Sequence, residues 1–539
     1  MLATALAWLV SAPTTARCES AQLAGCRETV LGARPHPIPE KAISKAGPLG
    51  CHVAWVARPN LLFQTVFLDG QRGPNCLSVG DLPVFSPDGS HLAYAALNQG
   101  GRNCQVILDG QAGPEFGNIQ KGGPVFSPDG KRIAYGAQQG KKSFVVVDEN
   151  VGPTFDEVGL GSQTFSPDGK RIAYGARQGK KWVVVVDGQA GPEFDRIAGA
   201  GPIFSSDGQR IAYKAIQGKK RVVVVDGIAG PEFDAILEGD NPVFSPDGKR
   251  IAYGAQRGKK WVVVVDGTVG PEVDGITVGS PVFSPDGQRI AYGAGRGEKR
   301  LVVVDEKPGP EFDGIMDASL VFSPDGKRIT YGARHGQKWV VVVDGVVGPE
   351  YDVIASGSPL FSPDGKRIAY LARQGQKWVV VADGVVGPEY DLIASGCPVF
   401  SPDGKRIAYA ALKGQTCVVV VDGDPGPGFS VVENPVFSSD GKRMAYCAVQ
   451  GEKQFVVVDG KPGPEFEGIV AARLVFSPDG KRIAYLATRG TKQLVVVDGH
   501  SGPEFDRLWG LAFRTDGQLE YLVEKEESLV RVECSSIMQ

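Results

Sequence analysis

The chain has 539 residues, 42% of them hydrophobic, with 73 Gly, 38 Pro and a formal charge of −3. That composition excludes a disordered chain, and the near-neutral balance excludes a globally basic nucleic-acid binder or a strongly acidic surface. No stretch reaches the roughly 18–20 consecutive apolar residues of a membrane-spanning helix.

Residues 1–50 form a leader outside the repeated part of the chain. "MLATALAWLVSAPTTA" has the apolar core and small residues of an export signal but lacks a basic beginning. "LAGC" (Leu23–Cys26) has the form of a lipoprotein cleavage signal, although Arg17 and Glu19 separate it from the apolar run. A periplasmic or secreted protein is therefore expected, with a cytoplasmic location as the alternative. The nine cysteines are Cys18, Cys26, Cys51, Cys76, Cys104, Cys397, Cys417, Cys447 and Cys534. They include no C-x-x-C pair and keep no fixed place, which favours free or buried thiols over zinc or redox chemistry.

From residue 51 onward one unit repeats about every 39 residues. Its F-S-x-D-G phenylalanine falls at Phe85, Phe126, Phe165, Phe204, Phe244, Phe283, Phe322, Phe361, Phe400, Phe437 and Phe476, with a degenerate copy at Phe513. In "FSPDGKRIAYGARQGKKWVVVVDGQAGPEFD" (165–195), strand a ends at Phe165 and "SPDG" is a turn. Strand b is "KRIAYGA", strand c the β-branched run "WVVVV", and strand d "EFDRI", joined by "RQGKK" and "DGQAGP". Four short strands with no helical period make a sheet too thin to bury its own faces. It must stack on a neighbour about 10 Å away. Small residues on strand b, such as Ala173 and Gly175, suit that close approach. A β-solenoid is the rival architecture, but its coils are usually shorter, and the tight connections here favour antiparallel blades.

"FSPDGKRIAY" is similar to the β-propeller repeat of TolB-like proteins, relatives of the WD repeat, and the resemblance covers most of the chain. It implies a propeller whose strand a lines a central channel, in a family whose members mostly bind other molecules. The "VVVDGxxGPEFD" half carries no activity that the resemblance assigns.

The expected fold is all-β, a propeller of about twelve four-stranded antiparallel blades. Two six-bladed rings are preferred, 51–287 and 288–517, with 518–539 as extra strands or tail. One very large ring is the alternative, because the spacing runs unbroken across residue 287. The array starts at strand b ("CHVAWVAR"), so the final "LAFRTDG" is expected to supply the missing first strand and close the ring.

The sequence lacks G-x-S-x-G, H-E-x-x-H, a P-loop and a dinucleotide fingerprint, so neither an enzyme nor a cofactor is expected. His52 and His91 stand where later copies carry Arg. Equivalent places on stacked sheets lie about 10 Å apart, too far to share an ion, so no metal is expected. The Asp residues of "SPDG" (Asp168, Asp247, Asp364) and "VVDG" (Asp187, Asp266, Asp344) read as turn chemistry rather than calcium ligands. Antiparallel order puts the a–b and c–d turns at one end of the ring, with Asp168, Lys170, Arg171, Asp187 and Glu193. At the other end the b–c turns collect Arg177, Lys180, Lys181, Lys219, Lys220, Arg257, Lys259, Lys260, Arg334, Lys338, Arg373 and Lys377. This basic end is the candidate binding face of a non-catalytic scaffold for an acidic protein or an anionic glycan. Nucleic acid is disfavoured because few aromatics interleave with the cations; Trp182, Trp261, Trp339 and Trp378 read as packing residues. A hydrolase or lyase with its site in the central channel is the alternative.

Overall fold

A computed structural model describes residues 26–33, 42–47 and 50–57, and from 63 to 534 all but 70, 160, 238–241, 278, 280, 395, 397, 434, 471–473, 526 and 527. Thirteen small antiparallel sheets account for its secondary structure. In chain order, blades 1 to 12 span 42–72, 78–112, 118–151, 157–190, 196–229, 235–269, 275–308, 314–347, 353–386, 392–429, 431–462 and 468–505. Blade 13 combines 508–534 with the strand Cys26–Ala33.

Within blade 4, strand b (Ile172–Gln178) pairs along its length with strand c (Lys181–Val186). Asp187 and Gly188 turn the chain after strand c with φ of 50° and 81°, the doubly left-handed geometry that Asp-Gly tolerates in a two-residue hairpin. The a–b turn needs Gly169 for two reasons. Its φ is 71°, and a Cβ there would lie 2.8 Å from Asp129 Oδ1 of the preceding blade.

Strand d differs from the expected "EFDRI". It consists of Gln189–Ala190 and an isolated bridge from Phe194 to Trp182, after which the chain crosses to the next blade. Arg196 and Ile197 already pair with Ile216 and Ala215 of blade 5. The "DRI" segment therefore opens strand a. A strand-like pattern alone does not tell which of two neighbouring sheets takes it.

Side chains alternate between two unlike faces. Ile172, Tyr174, Ala176, Val183 and Val185 of blade 4 pack back on Ala134, Val145 and Phe155 of blade 3. Ala173, Val184 and Phe194 face forward onto Ile211, Tyr213 and Val224 of blade 5. Each seam thus sets a bulky face against a shallow one. Buried side chains of this size are worth about 1.5–3 kcal/mol each, so a seam contributes on the order of 10 kcal/mol before ordering entropy is subtracted.

Such clusters join blades 1 and 2 and every later neighbour up to blades 12 and 13. Residue 287 lies inside blade 7, in its a–b turn, and blade 7 shares one cluster with blade 6 through Val263, Tyr292 and Leu301 and another with blade 8 through Phe312 and Tyr331. Strand Leu519–Lys525 of blade 13 in turn lies against strand Gly50–Ala57 of blade 1. The molecule is therefore one ring of thirteen blades, and the preferred pair of six-bladed rings is corrected. A uniform repeat gives a uniform small rotation, about 28° per blade for thirteen equal steps, so nothing closes the ring halfway.

Ring closure also differs from expectation. Blade 1 has its own inner strand, Ala42–Gly47. The N-terminal strand Cys26–Ala33 completes blade 13, pairing with Ser528–Cys534 as its outermost strand. The closing sheet thus mixes both ends of the described chain, and a Cys26–Cys534 disulfide fastens them. "LEYLVEKEESLVRVEC" does supply two further strands, Leu519–Lys525 and Ser528–Cys534. Residues 1–25, with the export-signal reading, lie outside the described residues.

Candidate binding surface

At the end that carries the a–b and c–d turns, one arginine in each of blades 3 to 12 ties neighbours together. Arg171 Nε donates to Asp187 Oδ2 at 3.0 Å, and its Nη1 donates to the Gln209 carbonyl of blade 5 at 2.7 Å. Its guanidinium lies 5.4 Å from the centre of the Phe204 ring, also in blade 5. The other Asp187 oxygen accepts the Ile172 N–H. The ion pair and the ring contact recur from Arg132 in blade 3 to Arg482 in blade 12. Asp168 accepts from the Ser166 hydroxyl and the Lys170 N–H, and these bonds hold its carboxyl below the usual range. Both sets of aspartates are thus engaged in turns and clamps.

The b–c end has a second inter-blade clamp. Lys181 Nζ of blade 4 donates to Asp195 Oδ1 at 2.7 Å, while Asp195 Oδ2 accepts the Gly218 N–H of blade 5 at 2.6 Å. The Lys181 ammonium first and the Gly218 N–H second hold the Asp195 carboxyl low. The same arrangement runs from Lys142–Asp156 to Lys377–Asp391.

These clamps divide the twelve predicted basic residues. Lys181, Lys220, Lys260, Lys338 and Lys377 are the clamp lysines, 2.5–2.7 Å from Asp195, Asp234, Asp274, Asp352 and Asp391. Arg177 pairs with Glu157 at 2.9 Å, and Arg334 Nη2 donates to the Asp313 carbonyl at 3.4 Å. Arg257 lies over Phe233 and Arg373 over Trp378. Lys180, Lys219 and Lys259 are exposed and have no ion pair among the described residues. Lys141, absent from the sequence-based set, is their counterpart in blade 3. These four share one place in the turn, just before the clamp position. Blades 7 to 12 have Glu298, Gln337, Gln376, Gln415, Glu452 and Thr491 there.

The GPEF glutamates also reach this end. Glu311, Glu350 and Glu504 approach Arg296, His335 and Arg489 on the b–c hairpins. Glu193 therefore belongs with the b–c turns and not at the c–d end, because strand d has already run its length by that residue. Trp339 and Trp378 are half-buried against the seam clusters, as packing residues would be.

His91 occupies the arginine's place in blade 2. Its Nδ1 is 2.7 Å from Asp109 Oδ2, and its ring stacks on Phe126 at 6.5 Å. The side chain of His52 lies outside the described residues. Among the described residues no group of three or more His, Cys, Asp or Glu is placed to hold a metal ion. Among the described residues no helix is long and apolar enough to cross a membrane. Cys26 is bonded to Cys534, which removes the thiol that a lipid anchor at "LAGC" would use. Cys76 and Cys447 are buried free thiols, and Cys104 and Cys417 are half-buried ones.

Thirteen sheets stacked face to face in a closed circle define a β-propeller. Residues 196–387 match the TolB beta propeller domain. The motif recurs around the ring beyond those residues, and the chain resembles TolB-like propeller repeat proteins. A search of the curated proteins found no match. Among solved structures it resembles a eukaryotic initiation factor at 13% identity, covering 62% of this chain and 96% of that one with a TM-score of 0.31. TolB from Acinetobacter baumannii is 17% identical over 50% of this chain and 79% of its own, with a TM-score of 0.21. The propeller domain of the Trilobed protease from Pyrococcus furiosus is 16% identical over 49% and 94%, with a TM-score of 0.23.

Proposed function

We propose that the ring is a non-catalytic scaffold that binds an anionic macromolecule, an acidic protein or an anionic glycan, at the b–c end of blades 3 to 6. One observation carries this reading. Lys141, Lys180, Lys219 and Lys259 stand at the same turn position of four consecutive blades, exposed and without a carboxylate partner, while the adjacent lysine of each turn is held by its clamp aspartate. A lysine kept only for solubility has no reason to be confined to one arc. Four weak contacts at repeated spacing add up for a repetitive polyanion, each further one acting at high effective concentration. The Cys26–Cys534 disulfide supports placing the protein in an oxidising compartment, periplasmic or secreted.

The test compares the full chain with a K141Q/K180Q/K219Q/K259Q variant on immobilised sulfated polysaccharide and on immobilised polyglutamate. The wild type should be retained at low salt and released at moderate salt, the variant at distinctly lower salt. Equal retention of the two proteins, or retention indifferent to salt, would refute the surface. The matrix that holds the wild type more tightly distinguishes glycan from protein.

A further inference from the structure

In blades 3 to 11 the clamp arginine is seated in three ways. An aspartate of its own c–d turn pairs with it, two carbonyls of the next blade's a–b turn lie within its reach, and the next blade's phenylalanine lies under it. Arg171 Nη1 donates to the Gly208 carbonyl at 3.3 Å and to the Gln209 carbonyl at 2.7 Å, with Phe204 beneath. Arg132 does the same with Gly169, Lys170 and Phe165. The series runs on to Arg443, which donates to the Lys481 carbonyl over Phe476.

Blades 1 and 2 carry His52 and His91 at this place. An imidazole is shorter than the arginine side chain and lacks its forked donors. His91 shows the consequence. Its Nδ1 meets Asp109 at 2.7 Å, yet among the described residues its ring makes no hydrogen bond to the Gly130 or Lys131 carbonyl of blade 3.

At the seam between blades 1 and 2 a cleft of about 150 Å³ is open, with Asp69, Phe85, Gly89 and Ser90 in its lining. In register these four correspond to Asp187, Phe204, Gly208 and Gln209, the groups that seat Arg171. Among the described residues the Gly89 and Ser90 carbonyls accept no hydrogen bond. Asp69 also lies 3.6 Å from Arg531 of blade 13, so the two carbonyls, and not the carboxylate alone, set what the cleft selects. All four walls of the arginine seat are therefore present where the chain itself has no arginine to fill it.

We propose that the blade 1–2 cleft binds a guanidinium group supplied from outside the fold. Its N–H donors meet the Gly89 and Ser90 carbonyls, and its charge faces Asp69 beside the Phe85 ring. The ring displays the fit nine times over, in the seats of Arg132 to Arg443. A planar fork reaches two adjacent carbonyls at once, which a single ammonium does not. The site is separate from the polyanion surface, at the other end of the blades and with the opposite charge preference.

The full chain, disulfide intact, is titrated with methylguanidinium and with capped Gly-Arg-Gly; methylammonium and capped Gly-Lys-Gly are the controls. The readout is the amide resonances of Ser90 and His91, which share peptide units with the two carbonyls. Both guanidinium probes should shift them saturably, and each ammonium control should bind at least several-fold more weakly. His52→Arg supplies the repeat's own group and should lower guanidinium affinity tenfold or more, with the circular dichroism of the ring unchanged. Tighter binding of the peptide than of methylguanidinium would assign the seat to an arginine of a partner chain, and equal or weaker binding to a small guanidine compound. Absence of saturable shifts in the wild type, equal binding of guanidinium and ammonium probes, or undiminished binding to His52→Arg would overturn the proposal.

Discussion

Cys26 and Cys534 are 508 residues apart in sequence, yet their Cα atoms lie 4.0 Å apart at the paired ends of two strands of blade 13. The disulfide turns a ring held by contact into one held covalently, because the chain already joins all the other blades in order.

Loss of that bond, by reductant or by Cys26→Ser with Cys534→Ser, should loosen blade 13 first. A removed native disulfide typically costs about 2–5 kcal/mol, and in a repeat array the cost appears locally, without a single cooperative transition. Amide exchange across 508–534 should rise at least tenfold on reduction while blades 4 to 9 keep their protection. Equal acceleration everywhere would contradict this.

Among the described residues, the seam between blades 13 and 1 carries charged side chains at places that are apolar in the repeat. Glu520 stands where strand b elsewhere has alanine, and Arg531 where strand c has valine. Arg531 Nη2 lies 3.6 Å from Asp69 of blade 1, and its Nε lies 3.6 Å from Glu520, which is 1% exposed. Arg531→Val alone should destabilise closure by about 3–5 kcal/mol, since it leaves a buried carboxylate without this partner. Glu520→Ala with Arg531→Val, which restores the repeat, should be near neutral or stabilising by thermal melting. The charged seam then contributes identity, marking which two blades meet in a set of near-identical ones.

Acid should weaken the ring through its aspartates. The Ser86 and Ser90 hydroxyls lower the Asp88 carboxyl to about 2, and Asp129, Asp168 and Asp195 are lowered as well. Each folded-state value lies below the unfolded value of about 3.9. The contribution is therefore complete above that pH and is lost as pH falls towards about 2. Melting temperature should be flat from pH 7 to 5 and drop steeply below 4. Ser86→Ala should raise the Asp88 titration, read by carboxyl NMR, towards 3.8.

Two thiols should be inert in the folded ring. Burial pushes Cys447 up to about 12 and Cys76 up to about 11, so almost no thiolate exists at pH 8. Mass spectrometry after iodoacetamide treatment should find both unmodified in the native protein and both alkylated in denaturant. Labelling of either one under native conditions would show that its seam opens.

Much of the blade was legible in the sequence because turns and strand alternation are local. Asp187-Gly188, Gly169 and the Val183–Val186 run each specify their own backbone, and the structure places them as turn, turn and strand c. Strand d was misjudged at Asp195, since a short β-prone segment fits either of two adjacent sheets. The basic residues were legible as a set but not by role. Lys180 and Lys181 are neighbours of the same type, and only the position of Asp195 makes one a clamp and leaves the other exposed.

By itself, then, the sequence determined an all-β propeller, its blade and its turns, because periodicity and turn chemistry act within about forty residues. The tertiary structure alone decided that thirteen blades close in one circle and that Cys26–Ala33 finishes the last of them. Ring size follows from a small rotation summed over every seam, and closure from the meeting of residues 508 positions apart. Neither of these is a property of a residue and its neighbours in sequence.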